Sequence, residues 1–356
     1  MQALPSTKTS HTFEKFTTKN GARIYRIPME AFPGFWAYAY LVIADDYRVL
    51  IDTGSGFGDC NEHLLEGIVR VRPDEGSAAA IENLTHILIT HGHIDHFGGL
   101  PFLLEKTDAK IGIHELDLRN LTNYEERIAV AERRLRDFLI DAGVEVEKRE
   151  EIITVYKVNK ALFKSVPVNF TYGAIDMLLG PFEFLHVPGH SAGHVVIRLE
   201  DYLFCGDHVL NGISPHQWPE RLTLNMGLAH YLDSLDKLKV WAGGDLKLTL
   251  SGHKEPITDL PLRIEQIRRV HAKRLARTVD ILSEPHTIAE LSSQLFGKVN
   301  GYDVLLSVEE AGAHVEYLYQ RGLLGISNLT EIEQGKAPML YQKINDPVAA
   351  QLKSIC

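Results

Sequence analysis

Four side chains able to hold a metal, His91, His93, Asp95 and His96, fall within six positions of one another in the segment 90–99. They follow the run Thr85-His-Ile-Leu-Ile-Thr90, which reads as a buried strand, so the cluster sits in a turn at the end of a rigid element. The alternation at 91, 93 and 95 lets His91 and His93 face one ion while Asp95 and His96 swing toward another. Imidazole and carboxylate donors suit zinc, iron or manganese. A single ion would leave ligands over. The plain alternative is a histidine-rich surface turn. That would account for one pair of histidines, but not for this spacing or for the Gly98-Gly99 pair that permits tight turning directly after it.

Around this cluster the sequence resembles the metallo-β-lactamase superfamily, whose signature is H-x-H-x-D-H. The resemblance continues in Val49-Leu-Ile-Asp52-Thr-Gly54, Val187-Pro-Gly-His190-Ser-Ala-Gly-His194, Gly206-Asp207-His208 and Ser251-Gly-His253-Lys-Glu-Pro256, so that all five family motifs occur in order over residues 49–256. It implies two divalent metal ions, with zinc the first choice and iron or manganese the others. One ion would be held by His91, His93 and His190, the second by Asp95, His96 and His253, and Asp207 would bridge them. A shared carboxylate lowers the repulsion between two dications, and water between them loses a proton near neutral pH to become the nucleophile. No protein nucleophile is then required. Ser55, between two glycines, lacks the strand-to-helix setting of a nucleophile elbow.

Asp207 and Asp95 are accordingly the expected catalytic carboxylates, and Asp52, at a strand end, resembles the family's aspartate that braces the ligand loops. His208, His216 and His230 follow the fourth motif in a stretch that includes Trp218, so the donor that protonates a leaving group is sought among them, with His208 and His230 taken as site residues. His186 and His194 read as bracing or packed groups, and His271 as a packing histidine on the apolar face of a helix.

These residues need a scaffold, and the flanking patterns supply one. Strand-like runs at 22–27, 35–44 and 47–52 read as an antiparallel meander, and a helix from Glu62 to about Val71 stops before Pro73. Residues 117–170 carry apolar positions at helical spacing among many charges and read as a helical insertion. Strands return at 182–187, 195–199, 202–205 and 246–251, which closes an α/β domain at residue 258. A connecting helix spans 259–284. Beyond it, the capping box Thr287-Ile-Ala-Glu290, a second helix ended by Gly322, and two β-type runs at 329–333 and 339–344 suggest a small winged-helix domain over 285–356. The expected fold class is α/β: an αββα sandwich of two mixed sheets with helices outside, followed by the winged helix.

Composition narrows the partners. The chain has 356 residues, with 37 Lys and Arg against 47 Asp and Glu, a net charge of −10 that makes it a poor polyanion binder. The winged-helix segment has five basic and eight acidic residues, and its second helix four acidic and one basic, so nucleic acid is not an expected partner. The run Arg268-Arg-Val-His-Ala-Lys-Arg-Leu-Ala-Arg277 is the exception: either a solvated helix face or a cradle for the phosphates of coenzyme A, phosphopantetheine or RNA. Pro28-Met-Glu-Ala-Phe-Pro-Gly-Phe-Trp36 reads as an apolar loop that either overhangs the metals, to suit an acyl or aromatic group, or caps the sandwich. Three scattered cysteines, no signal-type apolar segment and no membrane span place the protein in the cytoplasm. The expected activity is hydrolysis of a small-molecule thioester, ester or lactone, an acyl thioester among them. Phosphodiester cleavage of RNA is the alternative, a non-hydrolytic redox or regulatory role ranks lower, and a homodimer is a possible assembly.

Overall fold

The computed structural model describes residues 11–344 apart from 161, 162 and 336. Seven strands follow in chain order across one sheet: β1 (Glu14–Thr17), β2 (Arg23–Phe32), β3 (Phe35–Ala44), β4 (Tyr47–Ile51), β5 (His86–Leu88), β6 (Lys110–Ile113) and β7 (Phe170–Thr171). The first four pair antiparallel, β2 to β4 as the meander predicts and β1 as an added strand, and β4 to β7 pair parallel. A second sheet has β8 (Leu178–Leu179), β9 (Phe182–His186), β10 (Val195–Leu199), β11 (Tyr202–Phe204) and β12 (Leu248–Leu250), in the order β12-β11-β10-β9-β8.

Alternation along β3 shows why the two sheets stack. Tyr40, Val42 and Ala44 join Phe182, Val195, Ile197 and Phe204 in the core between the sheets. Ala39, Leu41 and Ile43 point the other way, onto Leu64, Ile68 and Val71 of helix α1 (Cys60–Glu75). Each fully buried aliphatic or aromatic side chain contributes roughly 1.5–3 kcal/mol. A one-residue slip in β3 would exchange the two faces. Helix α1 runs through Pro73 instead of stopping before it. The missing N–H falls in the last turns, opposite the exposed Val69, where the loss is cheapest.

Short helices α2 (Ile94–Phe97) and α3 (Leu100–Leu104) follow β5. Between β6 and β7 lie α4 (Leu118–Thr122), α5 (Tyr124–Asp141) and α6 (Val146–Lys160), all within the stretch read as a helical insertion. Helix α7 (Leu228–Ala242) covers the second sheet. Helix α8 (Leu260–Ile281) follows β12 and is capped by Asp259, whose side chain accepts from Leu262 N. The capping box at Thr287 and Glu290 is formed and opens α9 (Ile288–Phe296), which is followed by α10 (Tyr302–Gln320).

Two further expectations need correction. Leu329–Glu333 is a helix, α11, rather than a strand, and the two-stranded sheet pairs β13 (Leu324–Ile326) with β14 (Tyr341–Lys343). Asn328 explains the change: its side chain donates to Pro338 O and accepts from Leu340 N, which ties the helical turn to the returning chain. Likewise, Pro28 to Phe32 continue β2, leaving only Pro33-Gly34 as the turn into β3.

One hydrophobic cluster crosses the whole second half of the chain. It joins Phe138 of α5, Val196 and Leu203 of the second sheet, Leu235 of α7, Ile267 of α8, and Leu305, Val315 and Tyr341 of the C-terminal segment. No helix among the described residues is long and apolar enough to cross a membrane.

Candidate metal centre

The site lies where the loops leave one end of the two sheets. Asp52 follows β4, residues 91–96 follow β5, residues 188–194 join β9 to β10, Asp207 follows β11, and His253 follows β12. Backbone bonds lock these loops together: Val195 N donates to Thr90 O at 3.0 Å, Thr53 N to His96 O at 2.7 Å, and Gly252 N to Gly206 O at 2.8 Å.

Two groups of ligand atoms result. His91, His93 and His190 form one, and Asp95, His96, Asp207 and His253 the other, with the ligand atoms of each group within 4.8 Å of one another. Asp207 reaches both: its Oδ2 is 3.7 Å from His190 Nε2 and 3.2 Å from His253 Nε2, and its Oδ1 is 3.5 Å from His96 Nε2. Asp95 lies 3.2 Å from His253 Nε2 and 3.8 Å from His96 Nε2.

Three of the imidazoles are oriented from behind. His96 Nδ1 meets Asp52 at 2.8 Å, His190 Nδ1 donates to His216 O at 3.0 Å, and His253 Nδ1 to Trp36 O at 2.6 Å. Asp52 also accepts from Thr90 N and Oγ1, each at 2.8 Å, and takes a left-handed φ of 58° to do so. Asp207 N donates to His194, whose ring is thereby a brace and not a ligand.

The inward atoms His96 Nε2, His190 Nε2, Asp207 Oδ1 and His253 Nε2 are buried with no hydrogen-bond partner, as a metal-binding set requires. Electrostatics point the same way. Burial opposes charge on every group, yet Asp207 and Asp95 hold His253 up at about 10, and Asp207, Asp52 and Asp95 hold His96 well above the usual histidine range. The His253 and His96 imidazoles in turn hold Asp207 low against its desolvation. The carboxylates demand positive charge at this spot, and divalent ions meet that demand. Glycine makes room for it: a Cβ on Gly252 would lie 2.5 Å from His96 Cε1 and 2.6 Å from Asp207 Oδ1.

Comparison with known proteins agrees. Residues 35–253 match the family model described as the metallo-beta-lactamase superfamily, which is well over half of the chain. The protein belongs to that superfamily. The lactamase-like protein nscB of Neosartorya fischeri is 26% identical over 307 residues, 86% of this chain and 71% of that protein. Hydroxyacylglutathione hydrolase of Shewanella baltica is 30% identical over 129 residues, which span 36% of this chain and 35% of the enzyme. Among solved structures, a metallo-beta-lactamase family protein from Thermus thermophilus matches with a TM-score of 0.67 and 25% identity, covering 90% of this chain and 98% of that one. A beta-lactamase domain protein from Burkholderia ambifaria matches in fold with a TM-score of 0.73 at 20% identity, covering 96% and 97%. This superfamily member is a metal-dependent hydrolase.

Two residues sought as leaving-group donors are not in its cleft. His208 is fully buried against Tyr231, and burial lowers it to about 3, which keeps its ring in the uncharged form. His230 pairs with Glu220 at 3.0 Å and does not line the cavity beside His93. His216 does reach the site, but through its backbone carbonyl. Trp36 does not overhang the His and Asp cluster, since its ring stacks between His11 and His63. Phe35 does, with its ring 4.6 Å from that of His253.

Sequence reasoning missed Asp117. It is buried in the turn after β6 and accepts from Gly92 N at 2.8 Å, Ser191 Oγ at 2.7 Å and Gly193 N at 3.0 Å, tying the loop of His91 and His93 to the loop of His190. It also missed Glu309 and Glu310. They flank His216 at 3.4 and 3.3 Å, and Glu310 accepts from Gln217 N at 2.8 Å and pairs with Arg274 at 2.7 Å. Only long-range contacts identify these carboxylates, and no local motif carries them.

Proposed function

We propose that the protein hydrolyses the thioester, ester or lactone of a small organic acid, with two divalent ions, zinc the first choice, in the paired His and Asp groups. The observation that carries this reading is the cavity beside His93 and Trp218. It is lined by apolar residues of α5 and by Tyr302 and Glu309 of α10, and so is shaped for a small acyl group rather than a nucleic-acid backbone. Part of the chain also aligns with hydroxyacylglutathione hydrolase, a relative whose name describes such a reaction.

Ions in the two groups would supply Lewis acidity toward a carbonyl oxygen and lower the pKa of water. The chain's own part is to position and to exclude. Asp207 and Asp95 hold the centre together and are the carboxylates in reach of a proton taken from water. The His93 and Trp218 side receives the acyl group, and Phe35 shields the His253 side.

The basic run on α8 does not favour the phosphodiester alternative. Arg268 pairs with Asp236, Arg269 with Glu265 and Arg274 with Glu310, and Arg277 donates to Gln294 O. In this reading the C-terminal segment, through Tyr302 and Glu309, is a wall of the cleft and not a nucleic-acid reader, and the domain limits 1–258, 259–284 and 285–356 are part of the proposal. So is a cytoplasmic setting, which suits the free, buried Cys60 and Cys205. Cys356 lies outside the described residues. The test is a turnover screen of purified protein, with metal content measured, against thioesters, lactones and structured RNA. Turnover of acyl substrates that follows metal content is expected, and cleavage of RNA alone would overturn the reading.

A further inference from the structure

The cavity beside His93 holds a cation that the hydrolytic chemistry does not use. Arg127, half-buried on α5, lines it together with Tyr124, Ile128, Tyr156 and Met226. Its Nε donates to Asn120 Oδ1, and among the described residues no carboxylate lies within 4 Å of its guanidinium. The two carboxylates that line the same cavity are engaged elsewhere. Asp117 accepts from Gly92 N, Ser191 Oγ and Gly193 N, and Glu309 faces His216 at 3.4 Å. A guanidinium that lines this cavity without a carboxylate at ion-pair distance calls for an anion from outside, and its fork of donors matches a carboxylate.

We propose that Arg127 is a specificity-determining residue that binds a free carboxylate on the far end of the substrate's acyl group. This rests on the acyl-hydrolase reading above and narrows it to acids with a second acidic group. The cavity is about 140 Å³, close to the roughly 150 Å³ that holds a benzene molecule in an engineered protein cavity. It therefore takes a short chain or one ring between the reacting carbonyl and the carboxylate. The small space beside His93 suits the acyl side better than the bulky phosphates of a coenzyme leaving group, and the test below separates the two. The apolar wall formed by Ile128, Leu135 and Met226 accommodates the intervening carbons.

The test compares glutaryl and pentanoyl thioesters of N-acetylcysteamine, which have the same acyl length and no phosphate. The wild type is expected to favour glutaryl by about tenfold in kcat/KM, mostly through KM, the worth of one charge-assisted contact. Arg127→Gln should bring the ratio toward one, and Arg127→Lys should restore part of it. Binding of free glutarate and pentanoate, measured by calorimetry on the metal-loaded protein, is the second readout. If neither thioester turns over but glutarate binds and Arg127→Gln abolishes that binding, the carboxylate site stands and the thioester reading falls. A pentanoyl preference equal to the glutaryl one would overturn the proposal, as would glutarate binding that is absent or indifferent to Arg127→Gln. An Arg127 effect seen only with coenzyme A thioesters would also overturn it, by assigning the arginine to the leaving group.

Discussion

The two halves of the metal centre are supported from different parts of the chain. Asp95, His96, Asp207 and His253 are rooted in the sandwich: Asp52 at the end of β4 orients His96, Trp36 O in β3 orients His253, and Gly252 leaves space for His96 and Asp207. His91, His93 and His190 draw on later additions to that frame. Asp117 at the start of the helical stretch ties their loops, and Glu309 and Glu310 of α10 fix the His216 segment whose carbonyl orients His190. The comparison teaches that half of the centre is set by the sheet scaffold, while the other half depends on helices that include one outside the matched residues 35–253.

Breaking the shared element should have the largest effect. Asp207→Ala removes the one carboxylate among the described residues that touches both groups, and is expected to abolish turnover and binuclear loading together. Elemental analysis showing two ions still bound in an active variant would contradict the arrangement. Gly252→Ala comes next, because its Cβ meets His96 and Asp207 inside contact distance, and it should leave a folded protein with a severely weakened sheet-rooted half, seen in metal titration.

Milder changes sharpen the contrast. Asp52→Ala should weaken metal affinity or activity by about 10–100-fold, the usual effect of losing a group behind a ligand. The loss should fall on the ion held by His96, which stepwise chelation can resolve. Glu310→Gln should act on the other ion, through His216 and His190, and by less than about tenfold, since the backbone carbonyl itself remains. Loss of the same ion in both variants would show the halves to be one unit. Phe35→Ala should matter least, changing stability within about 0.5 kcal/mol because the ring is half exposed. Chemical denaturation checks that value.

What the sequence made legible follows the same division. The ligands and Asp52 lie in short motifs beside strands, where alternation and turn residues specify both element and role. Asp117, Arg127, Glu309 and Glu310 act across long stretches of chain, and nothing in their immediate neighbours distinguishes them from surface charges. His208 and His230 misled because they stand next to a ligand in sequence or in the stretch that follows it, whereas burial against Tyr231 and a pairing with Glu220 decide their state. The run 329–333 misled in the opposite sense: its β-type residues are overruled by the Asn328 side chain, which fixes a helical turn. For the arginines of α8 the sequence leaves a solvated face and a ligand cradle open, because the acidic partners of Arg268 and Arg274 lie on other helices.

The hydrophobic cluster that runs from α5 through the second sheet to β14 sets the size of the unit that folds. Leu305, Val315 and Tyr341 sit in the same packed mass as Leu203 and Leu235, so calorimetry should record one melting transition for the whole second half of the chain. A chain cut after residue 258 would emerge with a greasy flank exposed and meet chaperones and proteases rather than work as a smaller enzyme. Nature's freedom to exchange the tail is correspondingly narrow: any replacement has to complete this core before it can alter the pocket.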